Sequence, residues 1–327
     1  MAADGGTKAV VAALLANSGI AVLKFLAFAL TGASSMLAEA IHSVADAGNQ
    51  GLLLLGGKRA RRDATPEHPF GYGRERYIYS FLVAIVLFSV GGLFALYEAY
   101  HKYHEVHAGE PNELLEGQWW WVAIAVLLLA IVMESFSFRT AIVESNKTRG
   151  DASWVDFVKH AKSPELPVIL LEDLAALLGL VFALAGVSLA LVTDNGYWDV
   201  AGTTAIGLLL VTVAVILALE TKSLLLGEAA SLDAQRDIRA ALESTPGIER
   251  IIHMKTLHLG PEELLVAAKV GVAEGATADQ VAESIDAAER AIRAAEPVAQ
   301  VIYIEPDIYR SGHVPVARPE PPAPASH

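Results

Sequence analysis

Six long apolar runs constrain this chain more than any other feature. They lie at residues 8–31, 34–57, 77–98, 118–140, 166–191 and 197–220. Each is long enough to cross a hydrocarbon core of about 30 Å. Lipid offers no hydrogen bonds to a backbone, so such runs are expected as transmembrane helices. The whole chain agrees: 54% of its 327 residues are hydrophobic and its mean hydropathy is +0.42, too apolar for an ordinary soluble enzyme. The first run has neither a basic leader nor a short apolar stretch with a cleavage site. It therefore reads as a mature helix and not as a signal peptide.

Loop charge gives an orientation. The loop after the second run, KRARRDATPEHPFGYGRER, is strongly basic, and the segment after the fourth holds Lys147, Arg149, Lys159 and Lys162. The loop after the third run, HKYHEVHAGEPNELLEGQ, has a single lysine, and TDNGYW after the fifth has none. The positive-inside bias places the basic loops and both termini in the cytoplasm. With an Ala-rich, bacterial-looking composition and no visible targeting segment, the expectation is a multi-pass inner-membrane protein.

After residue 225 the composition becomes that of a soluble, acidic domain. Residues 232–244 have helical periodicity and stop at Pro246-Gly247. IERIIHMKTLHL and ELLVAAKVGVA read as strands joined by a Gly260-Pro261 turn. An amphipathic helix over 277–296, opened by Thr277 with Asp279 in its first turn, precedes a third strand, AQVIYIEP. This αββαβ order predicts a small α+β sandwich with its helices on one face of the sheet. The expected organisation is a membrane all-α domain of six transmembrane helices over 1–225 and a cytoplasmic α+β dimerisation domain over 226–310. A disordered Pro-rich tail is expected over 311–327.

Against this background the second run contains an anomaly. In AEAIHSVADAGNQ, residues 38–50, Glu39, His42, Asp46 and Asn49 interrupt an otherwise apolar segment. His42 and Asp46 are four apart and stack on one helix face, and Glu39 and Asn49 continue the stripe. Ionisable groups at membrane depth cost about 2.5–3.5 kcal/mol or more and mark substrate or ion paths. A polar clasp between helices would need only Asn, Ser or Thr. The fifth run holds a second anomaly, the adjacent acids Glu172 and Asp173, about 100° apart around a helix. Two acids in lipid repel unless a cation or proton lies between them.

The chain has no cysteine, so a metal here must be held by His, carboxylate, amide or backbone atoms. His42, Asp46, Asp173 and Glu172 supply one nitrogen and several oxygens, a set suited to four-coordinate Zn²⁺ and chemically reasonable for Mn²⁺ or Fe²⁺. His42 has to be neutral to ligate, so binding would expel a proton. The net charge of −13 argues against a nucleic-acid partner.

The motif HSxAD (His42, Ser43, Ala45, Asp46), together with His68-Pro69-Phe70-Gly71-Tyr72-Gly73 in the basic loop, resembles the cation diffusion facilitators, the zinc transporter family. The resemblance covers nearly the whole chain, including a cytoplasmic αββαβ domain like that of copper chaperones. It implies a homodimeric antiporter that moves a divalent metal, zinc foremost, out of the cytoplasm in exchange for protons. His42 and Asp46 fall on the family's second-helix ligand positions and Asp173 on its last fifth-helix ligand. The chain departs from the pattern four residues earlier, where Ile169 cannot ligate. Glu172 then stands as a substitute ligand or proton relay, and the branch is the one with LLEDLAALLGL.

In the cytoplasmic domain His253 and Glu305 occupy two places where relatives hold metal, while Ala268 and Tyr303 occupy others. The resemblance therefore implies a mainly dimerising role for this domain. His68 is a candidate secondary ligand at the cytoplasmic mouth. His101, His104 and His107 read as residues of a solvated outer loop. Lys24 and Asp199 read as structural, Asn17 as a polar contact to the second helix, and Glu134 as an interhelical bond or a proton path.

Three other functions would also bury His and carboxylates. A manganese, iron or cobalt exporter would share the mechanism. A non-transporting membrane metal sensor or scaffold is favoured by Ile169. An intramembrane metalloprotease would need a motif such as HExxH, which is absent, so no enzymatic activity and no organic cofactor are expected.

Overall fold

The structure, a computed structural model, describes residues 2–31, 34–109 and 120–310. The predicted Pro-rich tail lies outside them. Two compact units divide the chain: residues up to Glu228 with His258–Glu262, and Ala229–Leu257 with the residues from Glu263 onward.

The first unit holds six long helices among the described residues. These are α1 (Ala2–Thr31), α2 (Ser34–Ala60), α3 (Glu75–Ala108), α4 (Trp120–Arg149), α6 (Glu165–Thr193) and α7 (Tyr197–Leu226); the short α5 (Trp154–His160) precedes α6. Five of the six are long and apolar enough to cross a membrane, and α2 is the exception. It has 27 residues, enough for about 40 Å, but its polar stripe lowers its hydropathy.

The helices close a ring. α1 packs on α2 and α4, α4 on α6, α6 on α7, α7 on α3, and α3 on α2. The core inside includes Ile169, Val168, Leu217, Val83 and Leu53. The α6–α7 contact is backbone to backbone: a Cβ on Gly202 would lie 2.9 Å from the Phe182 carbonyl oxygen. Ion pairs tie the ring at both ends of α3. At one end the Arg76 guanidinium clasps Glu165 of α6, with Nη2 donating to Oε2 at 2.9 Å. At the other, Lys102 Nζ donates to Asp199 Oδ2 of α7 at 2.8 Å and to Thr203 Oγ1 at 3.3 Å.

Two details differ from expectation. Residues 101–108 are helical, so His101, His104 and His107 stand on the last turns of α3 and not in a loop. Aromatic neighbours at helical spacing support those turns, with Tyr100 edge-on to His104 at 4.4 Å and Tyr103 stacked on His107 at 5.8 Å. In addition, α3 carries a π-helical stretch at Leu87–Leu93. Such stretches widen a helix locally and recur at functional sites. Here the stretch brings Gly91 against the His42 ring, whose Cε1 would lie 3.6 Å from an added Cβ.

The second unit has the predicted order: α8 (Leu232–Glu243), β1 (Ile248–Gly260), β2 (Glu263–Val272), α9 (Ala278–Ala295) and β3 (Ala299–Asp307). Ser231 caps α8, and Thr277 with Gln280 forms a reciprocal capping box on α9. The sheet order is β1-β2-β3, with β2 and β3 parallel and Val266 opposite Ile302. Alternate β2 residues Leu264, Val266, Ala268 and Val270 are buried in one core with Ile238 and Leu242 of α8 and Ala288 and Ile292 of α9. Both helices therefore cover one face, as the period-2 pattern requires.

Candidate metal site

The stripe on α2 faces the interior of the ring. His42 and Asp46 approach with Nε2 and Oδ2 3.7 Å apart, and both remain partly accessible. One turn further on, Asn49 and Gln50 are fully buried and reach across to α6. Asn49 Nδ2 donates to Glu172 Oε1 and Gln50 Nε2 to Glu172 Oε2, each at 3.0 Å. Gln50 Oε1 in turn accepts from Asn17 Nδ2 of α1 at 3.4 Å, which places the expected Asn17 contact on α2. The side chain of Glu39 lies outside the described residues.

The two adjacent acids of α6 diverge. Glu172 points to α2, while Asp173 points to α4, where Ser137 Oγ donates to its Oδ2 at 2.7 Å. Ile169, one turn before Asp173, is fully buried in the apolar core. Among the described residues no three His, Asp or Glu side chains converge closely enough to hold one ion. The physical reason is in the hydrogen bonds: two amides hold Glu172, and a hydroxyl holds Asp173.

A cavity of about 170 Å³ lies beside His42, Asp46 and Glu172. His42, Asp46, Glu134, Glu172 and Lys24 line one part of it, and Glu98, Lys102 and Asp199 line the end toward the C-terminus of α3. Its walls can therefore meet a cation with imidazole nitrogen and carboxylate oxygen. Three buried acceptor oxygens nearby have no hydrogen-bond partner: Asn49 Oδ1, Glu134 Oε1 and Asp173 Oδ1. An unsatisfied buried acceptor calls for a donor, a proton or a cation.

The remaining candidates stand apart from this cavity. His68 is exposed and edge-on to Tyr72 at 4.8 Å. His253 is exposed on β1. Glu305 of β3 accepts from Lys269 Nζ of β2 at 2.9 Å. Hydrogen bonds to Glu305 and Asp307 hold the Lys269 ammonium above the usual lysine range. Glu305 is thus already matched by a cation of its own sheet.

Sequence reasoning missed Gln50 and Ser137. Gln50 is four residues after Asp46 and so continues the His42–Asp46 row, a signal that spacing offered. Ser137 had no such signal, because serine is common in membrane helices and only packing brings it to Asp173.

Comparison with known proteins follows the same lines. The family described as "Cation efflux transmembrane domain" matches residues 10–226. The mouse protein named "Proton-coupled zinc antiporter SLC30A9, mitochondrial" is 32% identical over 269 residues, 81% of this chain and 46% of that protein. Its Xenopus laevis counterpart is 31% identical with the same coverage. The Arabidopsis thaliana "Metal tolerance protein C4" is 26% identical over 265 residues, 80% of this chain and 56% of that protein. The chain spans about half the length of these relatives. With a family match over most of its length, a ring of membrane-spanning helices and an HSxAD stripe facing the cavity, this chain is a multi-pass membrane protein of the cation efflux family, the cation diffusion facilitators.

Proposed function

We propose that the chain is a proton-coupled antiporter that exports a divalent metal, zinc foremost, through the cavity of its membrane unit. The observation that carries this reading is the cavity itself, walled by His42, Asp46 and Glu172 among the long helices. His42 and Asp46 capture the ion. Glu172 or Asp173 completes the site by leaving its present hydrogen bonds, and protons occupy the vacated groups on the return step. The relatives named proton-coupled zinc antiporters support both the metal and the coupling.

The working form is a homodimer in the inner membrane, with the basic loops, both termini and the αββαβ domain in the cytoplasm. The domain boundaries are those read from the sequence, 1–225 and 226–310. The cytoplasmic domain acts in dimerisation, and His68, His253 and Glu305 bind metal weakly at most.

Purified protein in liposomes with an entrapped zinc-sensitive dye tests the proposal. Zn²⁺ entry driven by a pH gradient is expected, with loss in Asp46→Ala and Asp173→Ala. Entry unaffected by either substitution, or by collapse of the gradient, overturns it. The same vesicles with Mn²⁺, Fe²⁺ and Co²⁺ rank the cargo, and absence of any metal signal favours a sensor or scaffold.

A further inference from the structure

The wall of the cavity contributed by α4 has no part in the site read from α2 and α6, yet it presents a carboxylate. Glu134 is 1% exposed, lines the same cavity as His42, Asp46 and Glu172, and leaves its Oε1 without a hydrogen-bond partner. Its position is set by the helix: Ser137, three residues on, shares its face and is bonded to Asp173 at 2.7 Å. Glu134 therefore stands one turn from the α4–α6 contact, on the side that opens into the cavity.

A carboxylate used only to clasp helices has its oxygens satisfied by donors, because a buried acceptor left open costs about 1–3 kcal/mol, and more when charged. Glu134 Oε1 is left without a donor, and the residue lines a space that also holds the imidazole of His42 and the carboxylates of Asp46, Glu172, Glu98 and Asp199. Lys24 of α1 lines the cavity too and interacts electrostatically with Glu134. A cation on that side of the cavity already suits the local charge, and a divalent ion would suit it better.

We infer that Glu134 is a ligand of the transported divalent cation, so that the site is built from α2, α4 and α6 together. This rests on the transport reading above. The ion is drawn into the cavity by His42 and Asp46 and meets Glu134 on the wall that α4 contributes. Movement of α4 against α2 then changes the number of oxygens around the ion, which ties affinity to helix arrangement.

The test is Zn²⁺ titration by calorimetry on the full-length protein in detergent. Glu134→Gln keeps size and polarity, and it is expected to weaken binding about tenfold or more. Co²⁺ substituted into the wild type and into Glu134→Gln is expected to give different visible spectra, a sign of altered coordination that a purely structural role would not produce. Wild-type affinity and spectrum in Glu134→Gln, alongside lost binding in Asp46→Ala, overturn the inference and leave the transport site standing. Unchanged binding in Asp46→Ala and His42→Ala as well removes the site itself. If Glu134→Gln does not fold, the chain's lack of cysteine allows a second route. Glu134→Cys is then a unique thiol, and Cd²⁺ is expected to raise a thiolate charge-transfer band that Asp46→Ala abolishes. No band overturns the assignment.

Discussion

Glu172 and Asp173 are adjacent on α6 but bind different helices, Glu172 to Asn49 and Gln50 of α2 and Asp173 to Ser137 of α4. The 100° step of a helix separates them enough for one residue to join α6 to the polar stripe of α2 and the next to join it to α4. Each acid thus helps to hold the ring together.

That division has a measurable consequence. Glu172→Ala leaves two buried amide donors unpaired, and each costs about 1–3 kcal/mol. Asp173→Ala strands only one hydroxyl. Thermal unfolding in detergent without metal should therefore show the larger loss for Glu172→Ala. Equal losses would mean the two amides find other acceptors.

Metal should stabilise the folded protein through the cavity. At Zn²⁺ near one hundred times its dissociation constant, mass action adds about 2.7 kcal/mol. The melting temperature of the wild type should rise with Zn²⁺ and return on chelation, and Asp46→Ala should show neither change. A full shift in Asp46→Ala would place the bound ion elsewhere.

The pair Arg76–Glu165 ties α3 to α6 with side chains only 11% and 7% exposed. Arg76→Met strands a buried carboxylate and should cost about 3–5 kcal/mol. Adding Glu165→Leu should recover much of that loss, because the stranded charge goes with it. Additive losses in the double variant, read from unfolding curves, would refute the coupling.

Gly202 lets α7 meet α6 at backbone distance. Gly202→Ala puts a Cβ 2.9 Å from the Phe182 carbonyl oxygen, an overlap expected to cost about 1–3 kcal/mol. Gly57→Ala, which has no atom within 4 Å of an added Cβ, is the matched control. Equal melting temperatures in the two variants would show that α7 can shift freely.

Much of this was legible in the residues. The apolar runs announced the long helices because lipid forbids unsatisfied backbone, and the αββαβ order followed from the switch between helical and alternating periods. The stripe of His42 and Asp46 was visible because a charge at membrane depth has to have a reason. Gln50 stands on the same row four residues after Asp46 but went unread there, and only the structure gave it a partner. What sequence could not specify is which helices face each other. That choice depends on side chains meeting from distant segments: Asn49 and Gln50 finding Glu172, Ser137 finding Asp173, and α4 turning Glu134 toward the same cavity as His42. Local periodicity determines an element and its faces, but the ring closes on the best packing of all six, and that packing alone gathers the polar groups around one space.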